Sequence, residues 1–194
     1  MANLRVTVYC GSSRQCRSAY LEAARRLGRE LARERATLVY GGGAVGVMGA
    51  LADGALDGGG HVIGVLPRFM KELEWGHSGL SELHVVRDLH ERKRRMLEGA
   101  DAVVALPGGS GTFEELLEAI TWKRLALYMG PIVLLNTLSF FDRLVSALEH
   151  SIAERFMDPR HGEMWTVVAQ PEDVVRAIHA APPWLPEALK FASL

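Results

Sequence analysis

The sequence predicts an α/β fold, a doubly wound parallel sheet with helices on both faces. Two observations carry that expectation. Short, almost continuously apolar segments alternate along the 194 residues with longer segments of helical periodicity, as expected for strands buried on both faces and covered by helices. Three of the strand segments run straight into loops of small residues: Gly11-Ser12-Ser13, Gly41 to Gly46 and Gly108 to Thr112. In a parallel sheet the carboxyl ends all point one way, so these loops gather on one edge, where such folds bind ligands. The arrangement is Rossmann-like.

Each element has its own signal. Leu4 to Cys10 reads as the first strand and Ser18 to Glu34 as the helix behind it. Thr37 to Tyr40 and His61 to Leu66 are further strands, separated by a helix from Val47 to Asp57; Leu83 to Val86 adds a short one. Asp88 and Glu91 stand at capping-box spacing, so a helix starts at Leu89 and runs to Glu98. Ala102 to Leu106 is a buried strand, followed by a helix from Thr112 to Leu127 in which Phe113, Leu116, Leu117 and Ile120 recur at helical spacing. Strands at Ile132 to Leu135 and Thr166 to Val168, with helices at Phe140 to Glu154 and from Pro171 to about Ala180, complete the series. Gly54, Gly58, Gly59 and Gly60 read as element terminators. Residues 1–181 form a single nucleotide-binding domain, and residues 182–194, with Trp184 and Phe191, form a tail packing on that domain or on a partner subunit.

Composition narrows the function. Hydrophobic residues make up 48%, ordinary for a soluble domain, and a formal net charge of -1 argues against a general nucleic-acid binder. No apolar run is long enough to span a bilayer, Cys10 and Cys16 form no Cys-x-x-Cys pair, and the N-terminus lacks a signal-peptide pattern. A reducing cytoplasm and a small-molecule substrate are expected, with no membrane partner. Gly41-x-Gly43-x-x-Gly46 has dinucleotide-fingerprint spacing, yet the following strand ends Val65-Leu66-Pro67 without the acid that would hold a ribose hydroxyl. The chain contains no Gly-Lys-Ser/Thr, which removes a Walker-type loop.

Two constellations carry chemistry. In Leu106-Pro107-Gly108-Gly109-Ser110-Gly111-Thr112, glycines let backbone N–H groups converge on an anion at a helix start, where the helix dipole adds positive charge. Glu114 and Glu115 follow within one turn; beside a phosphate at least one of them faces something else, such as a sugar. The plainer reading of Thr112-x-x-Glu115 is a capping box that needs no ligand. In the helix from Leu89, the inward stripe at i, i+3, i+4, i+7 and i+8 is Leu89, Arg92, Lys93, Met96 and Leu97, whereas Arg94 and Arg95 point away. Cations buried in that stripe need carboxylates or a bound anion, unless they snorkel past the core edge.

Gly41-Gly42-Gly43 with Gly46 and Met48-Gly49, His90-Glu91-Arg92-Lys93, and Pro107-Gly108-Gly109-x-Gly111-Thr112-x-x-Glu115 together resemble the Lonely Guy family. Its members are cytokinin riboside 5'-monophosphate phosphoribohydrolases, often labelled lysine decarboxylases, and the likeness runs from Val6 to about Phe156. The resemblance implies hydrolysis of the N-glycosidic bond of an adenosine-type 5'-monophosphate. It implies Arg92 and Glu115 as catalytic residues, with no cofactor and no metal. As substrate contacts it implies Ser12, Ser13, Gly42, Gly43, Glu74, Arg92, Lys93 and Met96, together with Gly108, Gly109, Ser110, Gly111, Thr112 and Glu114; Glu72 competes with Glu74. Arg92 would neutralise phosphate, orient Glu115 or stabilise the leaving base. Many relatives carry tyrosine where Ser110 stands and histidine near Tyr128, differences that bear on base preference.

The resemblance also implies a homodimer, with apolar side chains from Trp122 to Tyr128 at its interface. A non-catalytic nucleotide or molybdenum-cofactor carrier is the alternative; it would keep the glycine loops without needing Arg92 and Glu115 together. Lysine decarboxylation normally uses a Schiff-base lysine on pyridoxal phosphate, and no recognisable cofactor motif surrounds Lys71, Lys93, Lys123 or Lys190.

Overall fold

The strands are β1 (Arg5–Tyr9), β2 (Thr37–Tyr40), β3 (His61–Pro67), β4 (Glu82–Val86), β5 (Ala102–Ala105), β6 (Ile132–Leu135) and β7 (Trp165–Val168). In the computed structural model, which describes residues 4–73, 76–184 and 186–192, they form one seven-stranded sheet in the order β4-β3-β2-β1-β5-β6-β7. Every pairing is parallel, with Val6 beside Leu38 on one side and Ala102 on the other. The helices are α1 (Ser18–Arg33), α2 (Gly46–Asp57), α3 (Arg68–Glu72), α4 (Leu89–Leu97), α5 (Ser110–Arg124), α6 (Asp142–Ala153) and α7 (Val174–Ala180).

Alternate strand residues feed two cores, as the two-residue period of a strand requires. Val6, Val8, Leu38 and Val104 pack under α1, α2 and α7. Tyr9, Val39, Ile63 and Val103 pack under α4 and α5, with Leu144 and Leu148 of α6 against them. The sheet is therefore covered on both faces, as predicted. Among the described residues no helix is long and apolar enough to cross a membrane.

Four expectations need correction. Gly54 does not terminate an element: it lies inside α2, where a Cβ would stand 2.2 Å from the Arg25 carbonyl oxygen, so glycine is what lets α1 approach. Helix α5 begins at Ser110, two residues before the predicted start, and ends at Arg124 because Ala126 takes φ 54°, which halts the helix. Leu117 and Leu89, predicted to face inward, are exposed. A short helix, α3, follows Pro67 where none was predicted. At the chain's end the Trp184 indole donates to the Lys123 carbonyl at 2.7 Å, and Arg124 Nε and Nη2 both donate to the Ala192 carbonyl, at 2.9 and 2.6 Å.

Candidate active site

The strand order reverses between β1 and β5, and there Gly11 N–H donates to the Pro107 carbonyl at 3.2 Å. Met48 N–H donates to the Gly11 carbonyl at 3.0 Å, drawing the start of α2 to the same point. All three small-residue loops consequently meet on one edge, around a cleft of about 710 Å³. Its wall includes Gly11, Ser12 and Arg14 from the first loop and Gly41, Gly43, Ala44 and Val45 from the second. The third loop contributes Gly109, Ser110, Gly111 and Thr112, and the helices contribute Met48, Arg92 and Glu115.

One end of this cleft gathers open backbone N–H groups. Gly109 is the N-cap of α5 and the first helical bond there runs from Phe113 N–H to the Gly109 carbonyl. The N–H groups of Ser110, Gly111 and Thr112 therefore have no intrahelical acceptor and carry the positive end of the helix dipole. Thr112 is buried, and its hydroxyl lies 2.0 Å from where a Cβ on residue 108 would sit, so position 108 admits only glycine without displacement. The helix start also disposes of the capping box. Thr112 occupies the third helical position and Glu115 the sixth, no side chain caps Gly109, and the Glu115 carboxylate turns to Arg92.

Arg92 and Glu115 form the other end. Both are nearly excluded from solvent, at 7% and 5% exposure, and Arg92 Nη1 stands 3.5 Å from Glu115 Oε1. The rest of the guanidinium is held by backbone: Nε donates to the Val65 carbonyl at 3.1 Å and Nη2 to the Gly41 carbonyl at 3.4 Å. Burial pushes the Glu115 carboxyl up to about 7; Arg92 opposes this, while Glu114 and Glu118 add to it. A carboxyl poised there exchanges a proton near neutral pH. The neighbouring Cys10 thiol, also in the cleft wall, is driven far up by burial and is no nucleophile.

Other residues named from sequence fall elsewhere. Lys93 is buried beside Arg92 but turns out of the cleft, pairing with Glu114 and, at 3.3 Å, with Glu118. Met96 lies fully inside the core under β1, where its carbonyl accepts from Thr7 Oγ1 at 2.6 Å. Gly42, at φ 77°, backs onto Leu66 rather than facing the cleft. Ser13 and Gly108 line a smaller neighbouring cavity with Tyr20 and Phe140. Glu74 is outside the described residues, and Glu72, at the end of α3, is exposed and not part of the wall. Sequence reading missed Cys10, Arg14, Leu66 and Met70. Cys10 and Leu66 had a usable signal, since each ends a predicted strand. Among the described residues no group of three or more His, Cys, Asp or Glu side chains is arranged to hold a metal ion.

A doubly wound parallel sheet whose topological switch point joins a helix start with open N–H groups to a buried arginine–carboxylate pair defines a Rossmann-like protein with a cleft at the switch point. A family profile described as "Possible lysine decarboxylase" matches residues 48–178. The chain is 44% identical over 176 residues to the cytokinin riboside 5'-monophosphate phosphoribohydrolase of Rhodococcoides fascians, covering 90% of this chain and 89% of the relative. It is 38% identical over 179 residues to cytokinin riboside 5'-monophosphate phosphoribohydrolase LOG3 of Arabidopsis thaliana, covering 92% and 83%. The chain belongs to the Lonely Guy family. Its fold is shared with the molybdenum cofactor binding protein of Rippkaea orientalis, at TM-score 0.72 and 24% identity over 93% of this chain and 98% of that one.

Proposed function

We propose that this chain hydrolyses the N-glycosidic bond of N6-substituted adenosine 5'-monophosphates, releasing the free base and ribose 5-phosphate. The observation that carries the reading is the buried Arg92–Glu115 pair placed in one cleft with the open N–H groups of α5. The 5'-phosphate is held by the N–H groups of Ser110, Gly111 and Thr112, with Ser12 and Gly43 lining the same space. Departure of the base leaves positive charge on the ribose, which the Glu115 carboxylate stabilises. Water then adds at the anomeric carbon and gives up a proton, and a proton is taken by the leaving base. Glu115, poised at about 7, suits that transfer. Arg92 stays cationic and acts as an electrostatic clamp.

Two features separate this reading from its competitors. A carrier has no use for a carboxyl that titrates near neutrality beside a fixed guanidinium. A decarboxylase using pyridoxal phosphate needs a lysine in the cleft. Among the described residues none lines it, Lys93 being paired with Glu114 and Lys123 donating to the Gly130 carbonyl at 2.7 Å.

The test is base release from a panel of adenosine and prenylated adenosine as nucleosides, monophosphates and triphosphates. Each charge-assisted bond to phosphate is worth roughly 1.5–3 kcal/mol, so monophosphates should turn over far faster than nucleosides. Equal rates would overturn the reading. We further propose that the enzyme works as a cytoplasmic homodimer. Leu125 and Leu127 support this, being 40% and 67% exposed at the end of α5, whereas Tyr128 of the same segment is core. A monomer mass from light scattering at micromolar concentration would contradict it.

A further inference from the structure

The loop that holds Arg92 is three successive glycines, Gly41 to Gly43, with no side chains of its own to fix it. Its position rests on what the backbone meets. Gly41 offers its carbonyl to Arg92 Nη2 at 3.4 Å, and Tyr40 Oη donates to the Gly43 carbonyl at 3.1 Å. The remaining ties come from one turn outside the cleft: His77 N–H donates to the Gly42 carbonyl at 2.9 Å, and Gly43 bridges Gly76 in antiparallel fashion.

That turn joins α3 to β4, and its own anchor is the His77 imidazole, whose side chain is only 14% exposed. Gly79 N–H donates to Nδ1 at 3.0 Å. Nδ1 must therefore present a lone pair, which places the ring proton on Nε2. Nε2 faces Asp53 Oδ1 of α2 at 3.1 Å, and Asp53 Oδ2 in turn faces Arg25 Nη2 of α1 at 3.5 Å. Both ring nitrogens are thus committed, and the imidazole ties the turn to the rigid α1–α2 pair. Neither His77 nor Asp53 lines the cleft.

We propose that His77 is a positioning residue: held by Asp53, it fastens the 76–79 turn onto the glycine loop and thereby fixes the Gly41 carbonyl that orients Arg92. This rests on the reading of Arg92 as part of the reacting site. The chain of contacts runs from Asp53 through His77 and the glycine loop to Arg92 and Glu115.

Three variants of the full chain test it: His77→Ala, His77→Gln and Asp53→Ala. The glutamine amide can donate to Asp53 in place of Nε2–H, so it should restore what alanine loses. Small displacements of reacting groups by distant changes cost up to about 100-fold, so His77→Ala and Asp53→Ala should lower kcat by roughly 10- to 100-fold. Inhibition by ribose 5-phosphate, which reports on the α5 N–H groups, should stay unchanged. Amide hydrogen exchange in residues 41–47 should quicken in both alanine variants and return to the wild-type rate in His77→Gln. If His77→Ala does not fold, Asp53→Ala carries the same expectations. Unchanged kcat, or a fall in kcat with wild-type exchange at 41–47, would overturn the proposal. If the wild-type chain releases no base from any nucleotide, the functional reading fails, and the exchange measurement still decides whether His77 holds the loop.

Discussion

Two cation–acid clusters link α4 to α5 from adjacent positions, and they differ in almost everything but charge. Arg92 meets Glu115 alone, inside the cleft wall, while Lys93 meets Glu114 and Glu118, whose side chains are 58% and 29% exposed. Burial works against both pairs. At Lys93 it lowers the ammonium's affinity for its proton, but the two carboxylates beside it outweigh this and hold the value above that of an ordinary lysine. At Glu115 the balance tips the other way. Arg92 directs Nε and Nη2 to backbone carbonyls, leaving a single 3.5 Å contact to the acid, so desolvation wins and the carboxyl rises to about 7. An ion pair alone does not hold a carboxyl ionised. The number of partners decides which way burial tips it.

The largest expected effect breaks the buried pair. Glu115→Gln keeps the shape and removes the charge, so turnover should fall by about 10²-fold or more, the scale for one preorganised electrostatic group, with folding intact. Arg92→Lys should be similarly inactive, because an ammonium cannot reproduce the fork that reaches Glu115 and two carbonyls. Base release and melting temperature measured on the same preparations decide this; a fully active Glu115→Gln would erase the difference between the two clusters.

Next comes Gly41→Ala, whose Cβ would fall 1.9 Å from Arg92 Nη2. The guanidinium must move, and kcat/KM should drop by about 10-fold, within the range for misplaced catalytic groups. Melting should hardly change, because the displaced atom ends a flexible side chain.

A third effect is on stability. Folded Glu115 keeps its proton up to about pH 7, whereas the unfolded chain releases it near the ordinary value of 4.5. Between those values the folded state binds more protons, so stability falls as pH rises. Glu115→Gln removes this slope, and its melting temperature should gain on the wild type between about pH 5 and pH 8, at roughly 2–4 °C per kcal/mol relieved. Parallel melting curves for the two proteins across that range would show that Glu115 is not desolvated.

The smallest effect belongs to the outer cluster. Glu114→Gln leaves Lys93 with Glu118, and because the Glu114 carboxylate is 58% exposed its pair contributes about 0–1 kcal/mol, so both melting and turnover should stay near wild type. A hundredfold loss of activity would place Glu114 with Glu115.

Much of the frame was legible because burial on both faces leaves an unbroken apolar mark: β2 and β6 occur at the boundaries predicted for them. Helical periodicity also identified Arg92, Lys93, Met96 and Leu97 as inward and Arg94 and Arg95 as outward. It could not say which of two adjacent inward cations faces the cleft, because that depends on where α5 places its acids. The start of α5 was misplaced because Ser110 and Gly111, both exposed, are poor helix formers and yet open the helix. The same misplacement sustained the capping-box reading of Glu115. Helix α3, five residues long, is too short for any period to register, and Met70 entered the cleft unannounced.

The tether on Arg92 has an evolutionary consequence. Its two anchors are carbonyl oxygens, at Val65 and Gly41, and every residue type supplies a carbonyl. Position 65 can therefore drift among residues that suit a buried strand without disturbing the guanidinium, and position 41 is constrained only by crowding. Arg92 is aimed by two backbone oxygens, one in β3 and one in the glycine loop, rather than by the side chains at positions 65 and 41. Substitutions in the cleft wall that leave those two carbonyls in place leave the Arg92–Glu115 contact in place as well.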